Sequence, residues 1–231
     1  MNIMTEIMGH RGAKHEYKEN TMEAFQKAVE LDACGIESDV HMLFDGSLVM
    51  YHDAVIPETN ESLYQYNGET VASYIEDIVF FEEFLKYYSK TGKLLNIEIK
   101  DKSGFCIDIE KPFMELLQKY NMKEHCIISC FNHYILRDIK EKYPDWKVGA
   151  LYRKRFGKDM VAYCKEHGID ALHPHHKDVD REFVEKCHEA GIMVNVWTVN
   201  EEEDILRMND IGVDIIMTDN IPLAKKLLQG L

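Results

Sequence analysis

Short apolar or β-branched stretches ending in polar residues alternate along this whole chain with segments whose apolar residues recur every three or four positions. The first kind reads as strand and the second as helix. The candidate strands are Glu6–Met8, Gly35–Val40, Leu48–Tyr51, Leu94–Ile99, Cys126–Ser129, Lys147–Leu151, Ala171–His173, Met193–Val199 and Ile215–Thr218. Helical spacing joins Met22, Phe25 and Val29; Ile75, Ile78, Val79 and Phe81 to Leu85; Phe113, Leu116 and Leu117; Ile135 and Ile139; and the segment Phe183 to Ala190. Asn20, with Glu23 three residues on, reads as the N-cap and capping box of the first helix. Strand–helix alternation marks a parallel sheet with crossover helices. No Gly/Ser tract or low-complexity run divides the chain, and it has only five prolines. Residues 1–231 therefore read as one domain, and a (β/α)8 barrel takes about 200 to 250 residues.

Nine candidate strands are one too many for an eight-stranded barrel. Asp45-Gly46 is a two-residue hairpin signal. Pairing about it carries the second strand past the rim and returns it antiparallel through Leu48 to His52, with Asp39 opposite His52. The expected fold is thus α/β, a TIM-type (β/α)8 barrel with a hairpin arm at the catalytic rim. Glu37, Asp39 and His52 would meet there.

Polar clusters stand at the strand ends, where such barrels place active sites. They are Gly9-His10-Arg11-Gly12, Glu37-Ser38-Asp39, His52-Asp53 and Glu98-Ile99-Lys100. Alternation along a strand aims Glu37 and Asp39 the same way, and likewise Glu98 and Lys100. Three convergent carboxylates, Glu37, Asp39 and Glu98, repel unless a cation neutralises them, and all-oxygen ligation suits Mg2+ or Ca2+. His10 and His52 exchange protons near neutral pH. Arg11 offers a fork that matches phosphate oxygens, and Gly12 would let the backbone approach an anion closely. Such a set suits phosphoryl transfer better than acyl transfer.

The net charge of −14 argues against nucleic acid and against an anionic membrane surface as partner. No apolar run is long enough for a membrane span, and the N-terminus lacks the basic and apolar regions of a signal peptide. The six cysteines (Cys34, Cys106, Cys126, Cys130, Cys164 and Cys187) match neither a disulfide framework nor a zinc pattern. Reduced thiols in a cytoplasmic protein are expected. Oligomeric state is not legible.

The ordered set His10-Arg11-Gly12, Glu19-Asn20-Thr21, Gly35 to Val40, Asp45-Gly46, His52-Asp53 and Glu98-Ile99-Lys100 resembles the glycerophosphodiester phosphodiesterase signature. So do the segment Ile128 to Asn132, Val196 to Asn200, Gly212-Val213-Asp214 and Thr218-Asp219-Asn220, and the match runs from about residue 8 to about residue 223. A lone His-Arg-Gly would be weak; the ordered set is specific. The resemblance implies Glu37, Asp39 and Glu98 as metal ligands, His10 and His52 as the acid–base pair, Arg11 and Lys100 on the phosphate, and Trp197 and Phe131 along the alcohol side. It implies attack by the substrate's own glycerol hydroxyl, then opening of a cyclic phosphate by water. The substrate would be a small glycerophosphodiester such as glycerophosphocholine or glycerophosphoethanolamine, and the products sn-glycerol 3-phosphate and an alcohol. The alternatives are a lysophospholipase D-like activity and a non-catalytic barrel that binds phosphodiesters. Two departures stand out: Lys18 replaces the family's usual Pro before Glu-Asn-Thr, and the substrate-selecting insertion, Ala54 to Thr70, is short. Taken alone, Lys100 could be a solvated strand-end lysine and Trp197 mere core. His173-Pro174-His175-His176 reads as a loop feature near the rim. Arg153-Lys154-Arg155 reads most simply as a solvated basic run, with attraction of an anionic substrate from its rim position after Lys147–Leu151 as the lesser alternative.

Overall fold

The computed structural model of the chain describes residues 5–101, 108–153 and 159–230. Cys106 and the Lys154-Arg155 part of the basic run lie outside them. In chain order, β1 (Glu6–His10) leads to α1 (Met22–Glu30) and β2 (Gly35–Met42). A return arm follows, β3 (Leu48–Met50), then an insert holding β4 (Val55–Ile56), β5 (Glu61–Ser62), α2 (Gly68–Val71) and β6 (Val79–Phe80). The remaining pairs are α3 (Phe81–Tyr88) and β7 (Leu94–Ile99), α4 (Glu110–Lys119) and β8 (Cys126–Cys130), and α5 (His133–Lys142) and β9 (Lys147–Tyr152). After them come α6 (Met160–His167) and β10 (Ala171–Pro174), α7 (Arg181–Glu189) and β11 (Met193–Val196), α8 (Glu202–Ile211) and β12 (Ile215–Thr218), and finally α9 (Ile221–Gln229).

Eight strands are parallel and close a barrel in the order β1, β2, β7, β8, β9, β10, β11, β12, with β12 pairing back onto β1. Outward residues such as Ile36, Leu95, Ile97 and Ile128 pack under the helices. Phe81 and Phe113 stack there at 5.3 Å, and Phe25 meets Phe84 edge-on at 4.8 Å. Met8, Ile215 and Met217 form a separate apolar cluster, with Leu94, Met193 and Trp197 packed against it. Asn96, His173 and Asn195 are buried with them in the adjoining strands. Gly149 makes room for one of them, because a Cβ there would stand 2.4 Å from His173 Nε2. His173 is therefore a buried residue of β10, as the candidate strand Ala171–His173 has it, and does not belong with His175 and His176 to a rim loop.

The return arm is present, but its register differs by one residue from expectation. Val40 pairs with Met50 and Met42 with Leu48, so Asp39 faces Tyr51, whose N–H donates to the Asp39 carbonyl at 3.2 Å. The cause is the turn. Leu43 N–H donates to the Ser47 carbonyl at 2.8 Å, enclosing three residues rather than two. Gly46 takes the left-handed position at φ 85°, the usual three-residue alternative. Asp45 holds the turn by accepting from the N–H groups of Ser47 and Gly68.

Two further local expectations change. Ile75 and Ile78 are not helical: Val79–Phe80 forms a strand on β3, and Ile75 joins Leu43, Val49, Ile56, Leu63, Tyr66 and Val71 in a small separate core under the insert. The N-cap of α1 is Thr21, whose Oγ1 accepts from Ala24 N–H at 3.3 Å. Asn20 is diverted: at φ 57° its side chain donates to Asp39 and accepts from Ser38.

Candidate active site at the barrel mouth

The C-terminal ends of the barrel strands surround a cavity of about 700 Å³. His10, Arg11, Glu37, His52, Glu98 and Lys100 line one side of it, and Phe131 and Trp197 another. Of the nine expected catalytic, substrate-binding and metal-ligating residues, only Asp39 is absent from the lining. It is 1% exposed and lies just behind. Glu37, Asp39 and Glu98 nonetheless offer oxygens all within 4.8 Å of one another. The parallel register explains this, since Asp39 pairs directly with Glu98 across β2 and β7.

The cluster is held by cations. Lys100 Nζ lies 2.8 Å from Asp39 Oδ1 and 2.9 Å from Glu98 Oε1. Arg11 Nε lies 3.3 Å from Asp39, and its Nη1 donates to Glu19 at 2.8 Å. Asp39 also accepts from Asn20 Nδ2 at 3.0 Å. Burial works against the Asp39 carboxylate, yet Lys100 and Arg11 outweigh it and hold the group below the usual carboxylate range. Glu37 is different. Burial, then Asp39 and Glu98, push its carboxyl well above that range, and Arg11 and Lys100 only partly offset them. Burial likewise pushes Glu98 up to about 7, against the pull of Lys100. Burial also disfavours the Lys100 charge, but Asp39 and Glu98 keep it protonated above its ordinary value. The three convergent carboxyls, Glu37, Asp39 and Glu98, face two fixed cations, Lys100 and Arg11, and it is Glu37 and Glu98 whose ionisation is left uncompensated. That excess, on an all-oxygen set of donors, fits a hard divalent cation.

Each histidine carries an acidic partner. His10 Nδ1 lies 2.6 Å from Asp219 Oδ1, and its Nε2 is 3.8 Å from Glu37. An ionised carboxylate only accepts, so Nδ1 donates and Nε2 is left to exchange protons at the cavity. His52 Nδ1 lies 2.7 Å from Asp53 Oδ1. Burial lowers the His52 pKa, Lys100 and Arg11 add to that, and Asp39 opposes it. His52 reaches the cavity despite the changed register because β3 ends at Met50, so the pleat no longer dictates its direction.

Several contributors were not singled out by the sequence. Asp219 directly follows the eighth barrel strand and is itself held by Asn200, which donates Nδ2 at 2.7 Å to its Oδ2. Its signal was available, because Thr218-Asp219 is one more polar cluster at a strand end. Asn20 anchors Asp39 and left only its place in the Glu-Asn-Thr motif as a sign. His41 lies 3.2 Å from the His52 carbonyl and 2.9 Å from Tyr64 Oη; burial drives its pKa down to about 4. Gly12, already singled out in the sequence, also meets a packing demand, since a Cβ there would stand 2.7 Å from the Ala24 carbonyl carbon of α1. The far wall holds Phe131 and Trp197 nearly perpendicular at 5.8 Å, with Arg153 beside both rings. Of the four-residue histidine run, His175 meets Trp197 edge-on at 5.4 Å, and His176 pairs with Asp204 at 3.3 Å.

Residues 10–223 match the model of the glycerophosphoryl diester phosphodiesterase family. A protein named glycerophosphodiester phosphodiesterase from Caldanaerobacter subterraneus subsp. tengcongensis is 35% identical over 232 residues, covering 94% of this chain and 95% of its own. A crystal structure of a glycerophosphodiester phosphodiesterase from Parabacteroides distasonis superposes with a TM-score of 0.88 at 25% identity, over 100% of this chain and 99% of that one. An Oleispira antarctica phosphodiesterase, solved with the product sn-glycerol-3-phosphate, shares the fold with a TM-score of 0.83 at 21% identity, over 98% and 96% of the two chains. Among the described residues, no helix is long and apolar enough to cross a membrane.

Proposed function

The chain belongs to the glycerophosphoryl diester phosphodiesterase family and is a phosphodiesterase, and from that premise we propose that it hydrolyses small glycerophosphodiesters to sn-glycerol 3-phosphate and an alcohol with His10 and His52 as the acid–base pair. The observation that carries this reading is the convergence of Glu37, Asp39 and Glu98 beside His10, His52, Arg11 and Lys100 in one cavity. Glu37, Asp39 and Glu98 would hold Mg2+ or Ca2+. When bound, the cation supplies positive charge for the phosphoryl oxygens. Arg11, fixed by Glu19 and Asp39, presents a pre-set guanidinium edge rather than a mobile one. Lys100 is likewise held in place by its two carboxylates, and both side chains orient and neutralise the diester.

One histidine takes the proton from the substrate's glycerol hydroxyl as that oxygen bonds to phosphorus. The other gives a proton to the departing alcohol as its P–O bond breaks. In the second half the roles exchange: water attacks the cyclic phosphate, loses its proton to one imidazole, and the released ring oxygen takes a proton from the other. Microscopic reversibility requires that exchange. Asp219 and Asp53 keep each ring in the tautomer and orientation that both halves need. Phe131 and Trp197 form the alcohol side of the cavity. Residues 1–231 act as one catalytic unit with a short insert at 54–70. The partner is a small molecule, not nucleic acid, given the −14 charge. Five free cysteines among the described residues suit a reducing cytoplasm.

Phosphorus NMR of the products from glycerophosphoethanolamine tests which bond breaks. Glycerol 3-phosphate is expected; phosphoethanolamine would contradict the assignment.

A further inference from the structure

Arg153 occupies a position that the proposed chemistry does not use. It follows β9 at the cavity wall and is exposed. Its guanidinium carbon lies 5.9 Å from the ring centroid of Phe131 and 5.9 Å from that of Trp197. These rings meet at 89° and form two sides of an open box. A cation gains most from aromatic rings when it sits over their faces at about this range. The guanidinium therefore fills the place that a quaternary ammonium head group would seek. Among the described residues no carboxylate forms an ion pair with Arg153. Asp101, which also lines the cavity, accepts from Asn132 Nδ2 at 2.6 Å. His175, on the other side of Trp197, feels the Arg153 charge, which adds to burial in lowering its pKa. The alcohol end of the cavity is thus cationic and aromatic, in a chain whose net charge is −14.

We propose that Arg153 selects the leaving alcohol, favouring one that carries an anionic group and excluding a quaternary ammonium. The inference rests on the glycerophosphodiesterase reading and names its substrate class: diesters whose alcohol bears a second phosphate or a carboxylate. An anionic arm gains charge-assisted hydrogen bonds from the guanidinium while the polyol packs on Phe131 and Trp197. A trimethylammonium group must displace a like charge from the same rings.

The test compares kcat/KM for bis(glycerophospho)glycerol and glycerophosphocholine in wild type, Arg153→Gln and Arg153→Lys, with one metal at saturation and at low and high salt. Wild type should favour the anionic diester by about tenfold or more at low salt, and less at high salt. Arg153→Gln should collapse the ratio mainly by speeding glycerophosphocholine and slowing the anionic diester. Arg153→Lys should keep much of it, because the charge stays. An exposed side chain can be changed without unfolding the barrel. If wild type cleaves both diesters with a ratio that Arg153→Gln leaves unchanged, or prefers glycerophosphocholine, the assignment is overturned alone. If wild type cleaves neither, the glycerophosphodiesterase reading falls and takes this one with it.

Discussion

Replacing Glu98 with Gln separates what the carboxylate cluster does for binding from what it costs the fold. In the metal-free protein Glu98 titrates at about 7 instead of its ordinary 4.5, because burial and then the Asp39 charge disfavour ionisation, with Lys100 pulling only partly the other way. A carboxyl raised in the fold contributes its stability fully below pH 4.5 and loses it as pH rises through 7. At about 1.4 kcal/mol per pH unit, that span corresponds to about 3 kcal/mol at pH 8. The Glu98→Gln side chain keeps the shape and carries no charge. Metal-free Glu98→Gln should therefore be more stable than wild type at pH 8 by about that amount and nearly equal to it at pH 4.5. For a chain of this size 1 kcal/mol shifts Tm by about 2 to 4 °C, so the expected rise is about 6 to 12 °C. Glu37 is raised as well and adds a loss of the same sign as pH rises. Buried His41 and His173, with lowered pKa values, work the other way below about pH 6.5, so the comparison between variant and wild type at each pH carries the prediction. A divalent cation at a hundred times its Kd should restore about 2.7 kcal/mol to wild type at pH 8 and much less to Glu98→Gln. Thermal unfolding by circular dichroism, with and without metal at each pH, reads both effects. A variant less stable than wild type at pH 8 without metal, or stabilised equally by metal, would refute the reasoning.

Four other substitutions follow from the same geometry. His10→Ala and His52→Ala should each lower kcat by about a hundredfold to ten-thousandfold while metal affinity by calorimetry stays near wild type; normal turnover in either would sink the acid–base pair. Asp219→Asn should lower kcat with little change in KM, because Asp219 touches His10 and not the cavity-facing nitrogen; a rise in KM alone would place Asp219 in substrate binding instead. Gly149→Ala should destabilise by about 1 to 3 kcal/mol, since its Cβ would stand 2.4 Å from the buried His173 ring; denaturant unfolding with an unchanged midpoint would show that the barrel interior yields.

The eight barrel strands were legible because each alternates between an outer apolar face and an inner one, and the strand-end clusters told which end carries chemistry. Legibility failed where a distant partner decides. Asn20 looks like an N-cap until Asp39 and Ser38 take its side chain. The hairpin signal at Asp45-Gly46 was real, but Asp45 also accepts from Gly68 in the insert. That distant contact accompanies the longer loop and the slipped register. His173 closes the candidate strand Ala171–His173 but also read as part of a rim cluster with His175 and His176; the absence of a side chain at Gly149 makes room for it inside the barrel. Helix α6 was passed over because its eight residues bury little beyond Met160 and Cys164. Arg153 read as part of a solvated run, since nothing local reveals that Phe131 and Trp197 converge on it.

The central claim, that Glu37, Asp39 and Glu98 hold a divalent cation needed for diester cleavage, is tested most directly by following glycerol 3-phosphate release through chelation and restoration. Purified protein should release it with Mg2+ or Ca2+, stop in EDTA, and resume when the cation is returned in excess; Glu37→Gln should need far more cation for the same rate. Undiminished release in EDTA, or a Glu37→Gln variant with unaltered cation dependence, would contradict it.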